Sequence, residues 1–166
     1  MNAGVSNTTG EYNTFLGYAA GSGNTTGSHN IFVGVEAGDF HTEGDDNVFV
    51  GCNAGRFNAT GTGNVFLGNA AGYHETGSNK LYIANDSDTS NVLIYGEFDN
   101  GRVGLGTLAP QARLDVAGTV NTDTVYQIGG QTVLAVEGLD NVFVGENAGK
   151  ENIGSVSYTH LTLPTN

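Results

Sequence analysis

The chain is poor in cysteine, in positive charge and in long apolar runs. Its single cysteine, Cys52, excludes an internal disulfide. Only 5 basic residues stand against 17 acidic ones, for a formal net charge of −12. A field of that sign repels phosphate backbones, so nucleic-acid binding is disfavoured. No polybasic cluster is present to hold an anionic membrane. No apolar run approaches the length of a transmembrane helix, and no signal-peptide pattern follows Met1. No Walker-type loop and no calcium-roll nonapeptide occur. Thr-x-Thr pairs at Thr60/Thr62 and Thr122/Thr124 are not repeated in column, which argues against an ice-binding face.

What is abundant is just as selective. Gly, Asn and Thr together supply 64 of the 166 residues. All three are weak in helix interiors, and Gly and Asn are depleted from ordinary strands. A helical bundle is therefore excluded. Leu, Ile, Val and Phe total 40 residues, more than a disordered chain carries.

The chain repeats itself. The segment from Asn13 through Phe15, Gly17 and Ala20 to Gly21 returns from Asn30, from Asn47 and from Asn64, at a step of 17 residues each time. Gly10, Gly27, Gly44 and Gly61 keep the same step. A fifth copy starts at Asn79 with Leu81 in the Phe place, and a late copy runs from Asn141 to Gly149. A fixed period of this kind marks a stacked architecture. Asn-x-Phe-x-Gly alternates as a short strand does. The Gly and Ala-Gly positions, and stretches such as Asn24 to Gly27, supply turns. One repeat is one coil of a solenoid, which buries its Phe only by stacking on its neighbours. The expected structural ladder comprises Asn13, Asn30, Asn47 and Asn64 as an amide column, Phe15, Phe32, Phe49 and Phe66 as an aromatic column, and Gly17, Gly34, Gly51 and Gly68 at the strand ends.

Residue 1 falls in mid-repeat, because Ala3 and Gly4 are in phase with Ala20 and Gly21. The natural protein is therefore expected to begin earlier, and the missing signal peptide carries little weight. From Lys80 to about Val120 the period is lost. Leu81-Tyr-Ile83 and Val92-Leu-Ile-Tyr95 read as strands around a polar turn, followed by strands near Gly101–Gly106 and Leu114–Val116. Val125–Ile128 and Gln131–Leu134 flank Gly129-Gly130 as a hairpin. Residues 156–166 break both composition and phase and resemble the translation of a sequencing adapter.

The Asn-x-Phe-x-Gly-x-x-Ala-Gly repeat resembles the head repeats of trimeric autotransporter adhesins, which stack into a left-handed parallel β-roll. Leu81-Tyr-Ile83, Leu93-Ile-Tyr-Gly96, Gly101-Arg-Val-Gly-Leu-Gly-Thr107, Pro110 and Leu114-Asp-Val116 resemble a linker of bacterial and phage tail-fibre proteins, and Tyr126 to Gly130 is similar to that group. Many such proteins end in an endosialidase-type intramolecular chaperone, and nothing after Ser155 matches it. The resemblance covers about residues 2–155 and implies a homotrimeric fibre.

The chemistry-bearing residues each have a bland reading beside the functional one. Asp86, Asp88, Ser90 and Glu97 match calcium-loop positions, but Asn91 stands where Gly is needed and the flanks read as strands. Asp39, Glu43, Asp45 and Asp46 are four carboxylates in variable turns, where a glycosidase needs a defined pair. His29, His41 and His74 fall in different phases and do not converge on a metal. Cys52 sits at a variable position with only Arg56 as a nearby cation. Tyr18, Phe40, Phe57 and Tyr73 lie in turns, where they can stack on sugars or on the next coil.

The sequence thus predicts an all-β parallel β-solenoid (β-roll) of 17-residue coils with a β-hairpin connector, assembled as a trimer. Solenoid repeats are expected over 1–79, a β-rich connector over 80–137, the start of a second solenoid block over 138–155 and a non-native tail over 156–166. The expected function is a structural and adhesive fibre segment, the shaft or head of a bacterial surface adhesin or a phage tail fibre. It lies outside the cell, on a bacterial surface or virion, with a glycan or protein receptor as partner. No catalysis, cofactor or metal is expected in this segment. The alternative is an accessory segment of a tail-spike glycan hydrolase whose active site lies outside this sequence; a third reading is a cation-stabilised secreted roll.

Overall fold

A computed structural model describes residues 2–88, 91–120, 125–128, 131–135 and 143–144. The chain divides into two units, Met1–Thr119 and Val120–Asn166. No α-helix occurs among the described residues.

Each repeat sets Phe between two residues that face the other way, the alternation a strand imposes. The result is a three-residue strand per coil: β1 (Thr14–Leu16), β2 (Ile31–Val33), β3 (Val48–Val50) and β4 (Val65–Leu67). They pair in parallel and in register, Phe15 with Phe32, Phe32 with Phe49 and Phe49 with Phe66. The turns stack as well as the strands. Gly21, Gly38 and Gly55 each donate a backbone N–H to the next coil's alanine carbonyl at 2.9 Å. Coil therefore bonds to coil around most of the circuit, and the architecture is a β-solenoid.

The interior is narrow. Phe32, Phe49 and Phe66 and the alanines Ala20, Ala37, Ala54 and Ala71 have no exposed surface. Phe32 and Phe66 lie on either side of Phe49 at 4.7 Å, with planes within 6° and 3° of parallel. Glycine is required where this core is tightest. A Cβ on Gly55 would lie 2.5 Å from the Phe49 ring, and one on Gly51 would lie 2.1 Å from the Gly68 carbonyl oxygen. Both residues also hold positive φ, 58° and 141°.

The fifth rung differs from the sequence reading by one residue. In β5 (Lys80–Ile83), Tyr82 pairs with Phe66 and Leu81 with Val65. Lys80, not Asn79, takes the ladder place, and Asn79 holds a φ of 59°, the left-handed value found at Asp46 (59°) and His29 (58°). The step is 16 here because the turn after Glu75 is one residue shorter. Stacked hydrogen bonds, and not the Asn at 79, decide the register. Tyr82 also ends the parallel stack of rings, meeting Phe66 edge-on at 5.4 Å and 89°.

Beyond β5 the sheet turns antiparallel. β6 (Ile94–Glu97) pairs with β5, β7 (Arg102–Leu105) pairs with β6, and β8 (Leu114–Val116) returns parallel to β7. One eight-stranded sheet thus runs in chain order from β1 to β8. In the second unit, β9 (Val125–Ile128) and β10 (Gln131–Ala135) form the hairpin expected around Gly129-Gly130, and β11 (Phe143–Val144) pairs antiparallel with β10. The rest of the expected second solenoid block and the tail over 156–166 lie outside the described residues.

Phe49 touches a ring above and a ring below, so its removal opens a cavity that the stacked backbone cannot close. Phe49→Ala is expected to cost about 3–5 kcal/mol, read by denaturant unfolding. A loss under 1 kcal/mol would show that the ring column is not the core.

Candidate functional site

The asparagine column is a set of side-chain-to-backbone braces more than an amide ladder. Asn13 Oδ1 accepts the N–H of Asn30 at 2.8 Å, Asn30 Oδ1 that of Asn47 at 3.0 Å, and Asn47 Oδ1 that of Asn64 at 2.9 Å. Each Nδ2 donates to the next coil's Gly carbonyl, as Asn30 does to Gly44 and Asn47 to Gly61, both at 2.8 Å. Asn47 and Asn30 also bond amide to amide along the column, at 3.0 Å. Asparagine suits the place because it carries a donor and an acceptor on a short stem. Each one closes the corner before its strand, where the preceding residue is left-handed. The brace ends at Lys80, whose N–H bonds Asn64 Oδ1 at 2.9 Å while its own side chain pairs with Glu97 at 3.8 Å.

A second buried polar column was not read from the sequence. Asn24, His41 and Asn58 have no exposed surface. Asn24 Nδ2 donates to Asn7 Oδ1 and to the Gly27 carbonyl, both at 2.9 Å. The available signal was Asn7, Asn24 and Asn58 in one phase, with His41 between them.

The surface candidates separate. Phe40 and Phe57 stack at 5.0 Å and 4°, and His74 continues their column at 6.3 Å and 5° from Phe57. Tyr73 meets the Phe57 and His74 rings edge-on, while Tyr18 stands on a different column. The Arg56 guanidinium lies 5.5 Å and 5.7 Å from the Phe40 and Phe57 centroids. It is held by Glu36 at 2.6 Å and Asp39 at 3.4 Å. Phe40 is 48% and Phe57 39% exposed, so both rings of this corner are partly open to solvent.

The carboxylates of the 39–46 stretch go to separate tasks. Asp39 binds Arg56 and the Ser22 hydroxyl, Asp45 Oδ1 accepts the Ser28 N–H at 2.7 Å, and Asp46 faces His29 at 3.9 Å. His29 itself stacks on Tyr12 at 5.1 Å. Asp86 Oδ1 accepts the Asp88 N–H, whereas Glu97 is engaged by Tyr95, Asn100 and Lys80. Residues 89 and 90 of that stretch lie outside the described ones. Among the described residues, no group of three or more His, Cys, Asp or Glu side chains is placed to hold a metal ion. Cys52 is half-buried, with Asn53 Nδ2 at 3.3 Å from its sulfur.

A cavity of about 90 Å³ opens beside the fifth rung, between Tyr73, His74, Glu75, Tyr82, Asp86 and Val92. Glu75 is pinned there by the Tyr82 hydroxyl at 2.9 Å and the Gly77 N–H at 2.7 Å. Burial, and the Glu75 carboxylate that accepts its proton, push the Tyr82 hydroxyl far above the ordinary tyrosine value. Tyr82 therefore stays a neutral donor throughout the working range of pH.

No family model, no curated protein and no solved structure matches this chain. The fold defines it as an all-β solenoid protein.

Asn47 braces both adjacent coils from a fully buried position. Asn47→Leu strips bonds from the Gly61 carbonyl and the Asn64 N–H, and is expected to cost about 2–5 kcal/mol in a thermal or denaturant melt. The same change at the half-buried Asn13 is expected to cost less, since water replaces part of its bonding. Equal losses at both sites would refute the brace.

Proposed function

We propose that this chain is a structural and adhesive fibre segment, the shaft or head of a bacterial surface adhesin or a phage tail fibre, and that it assembles as a homotrimer. It acts outside the cell, on a bacterial surface or a virion. Its work is mechanical and adhesive, with no catalysis in this segment.

The observation that carries the reading is the outward face of the first unit's sheet. The registers run two rows of side chains across all eight strands. One row runs from Leu16 through Val50 and Ile83 to Val116, and the other from Thr14 through Val48 and Leu81 to Leu114. Neither row contains a charged residue. Leu16 is 64% and Leu114 60% exposed. Parallel strands ordinarily have both faces covered, and an apolar strip of this length on a soluble rod calls for a cover. Further copies of the same chain supply it and leave the acidic turns outward. Each further copy of the chain then adds one half-exposed Phe40–Phe57 corner, so affinity for a glycan or protein receptor grows by multivalency across the assembly.

Light scattering after size exclusion tests the assembly. Three times the chain mass is expected, with calcium and with chelator alike. Leu16→Asp combined with Val50→Asp is expected to return the mass to one chain while far-UV circular dichroism is unchanged. A folded monomer of the unmodified chain at all concentrations would overturn the trimer.

A further inference from the structure

His41 lies in the turn between β2 and β3 with no exposed surface. It interrupts a column otherwise made of asparagine, with Asn7 and Asn24 before it and Asn58 after. Its Nδ1 faces the Asn58 carbonyl oxygen, and its Nε2 lies 2.9 Å from the Gly44 carbonyl oxygen. A neutral imidazole has one N–H, so one nitrogen lone pair must confront a carbonyl. Asn47 Nδ2, 3.4 Å from Nε2, gives no relief, because it donates to Asn30 Oδ1 and Gly61 O. The ring also fails the coil before it. Asn24 Oδ1 is buried without a partner. An asparagine at 41 would reach that oxygen as Asn24 Nδ2 reaches Asn7 Oδ1.

Protonation completes both ring hydrogen bonds but places a charge inside the solenoid. The ring is packed edge-on against Phe32 at 5.1 Å and Phe49 at 5.8 Å, and the asparagines around it are neutral. Asp45 is the carboxylate that acts on the ring, and its Oδ1 is already bound to the Ser28 N–H. Burial outweighs the two carbonyl contacts and Asp45, and holds the imidazole below the ordinary histidine value.

We propose that His41 is an acid-sensitive joint: proton uptake at this one ring loosens the coil between β2 and β3 and makes it the pH-dependent weak point of the solenoid. The opened coil binds the proton more readily than the closed one. The stabilisation is complete above the ordinary histidine value and is lost as pH falls below it toward the lowered value in the fold. The joint does not depend on whether the chain is a monomer or a trimer.

The test compares the full chain with its His41→Asn and His41→Gln variants by denaturant unfolding from pH 7.5 to pH 5. The gap between native chain and variant is expected to open in the variants' favour on acidification. The limit is about tenfold in the unfolding constant per pH unit below the ordinary histidine value. Amide hydrogen exchange is expected to locate the change, with Thr42 and Asn47 losing protection at pH 5 before Val65. The ring signals of His41 are expected to titrate below 6.5. A gap that stays constant with pH, or ring signals that titrate above 6.5, would overturn the joint. Should neither variant fold, the exchange and ring titration of the native chain decide alone.

Discussion

Every coil of this solenoid is hydrogen-bonded to the coil before it and the coil after it, and that bonding requires coils of matched length. All else in the first unit follows from this constraint. A 17-residue step brings Phe onto Phe, Ala onto Ala and Asn onto Asn. Like side chains then stack in columns, and a narrow interior buries Phe32, Phe49 and Phe66 completely. The same closeness leaves no room for a Cβ at Gly51 or Gly55. The backbone at the buried corners is bonded by asparagines from inside.

The breaks in the pattern tell as much as the pattern. One residue is missing from the turn after Glu75, and the stack absorbs it by shifting the fifth rung so that Tyr82 stays under Phe66. The ring there turns edge-on, its hydroxyl is captured by Glu75, and the parallel run gives way to antiparallel strands. At His41 a ring replaces an amide, and the neighbouring Asn24 loses its partner. A repeat protein tolerates such substitutions one rung at a time, because each coil answers only to its neighbours.

The proposed function belongs to the outside of the solenoid. The coil interior is spent on holding the stack together, and the side chains with reactive chemistry are dispersed over separate columns. What remains coherent on the surface is the uncharged sheet face and the Phe40–Phe57 corner with its Arg56, Glu36 and Asp39 support. A long uncharged sheet face suits self-association, and a short aromatic corner suits weak contact summed over several copies of the chain.

The sequence alone determined the coil length, the Phe and Asn columns, and the strands at Leu114–Val116 and around Gly129-Gly130. Each of these is local: period, alternation and turn chemistry are written in adjacent residues. Tertiary structure decided what depends on the facing coil. It set the register at Lys80, where hydrogen bonds overrode the letter Asn79. It placed Asn24, His41 and Asn58 inside, although Asn24 to Gly27 reads only as a turn. It joined the outward residues of eight strands into one face, because two of the later pairings are antiparallel and cannot be read from a repeat. Contacts between residues 17 apart follow the period, whereas contacts across a changed period exist only once the chain has folded.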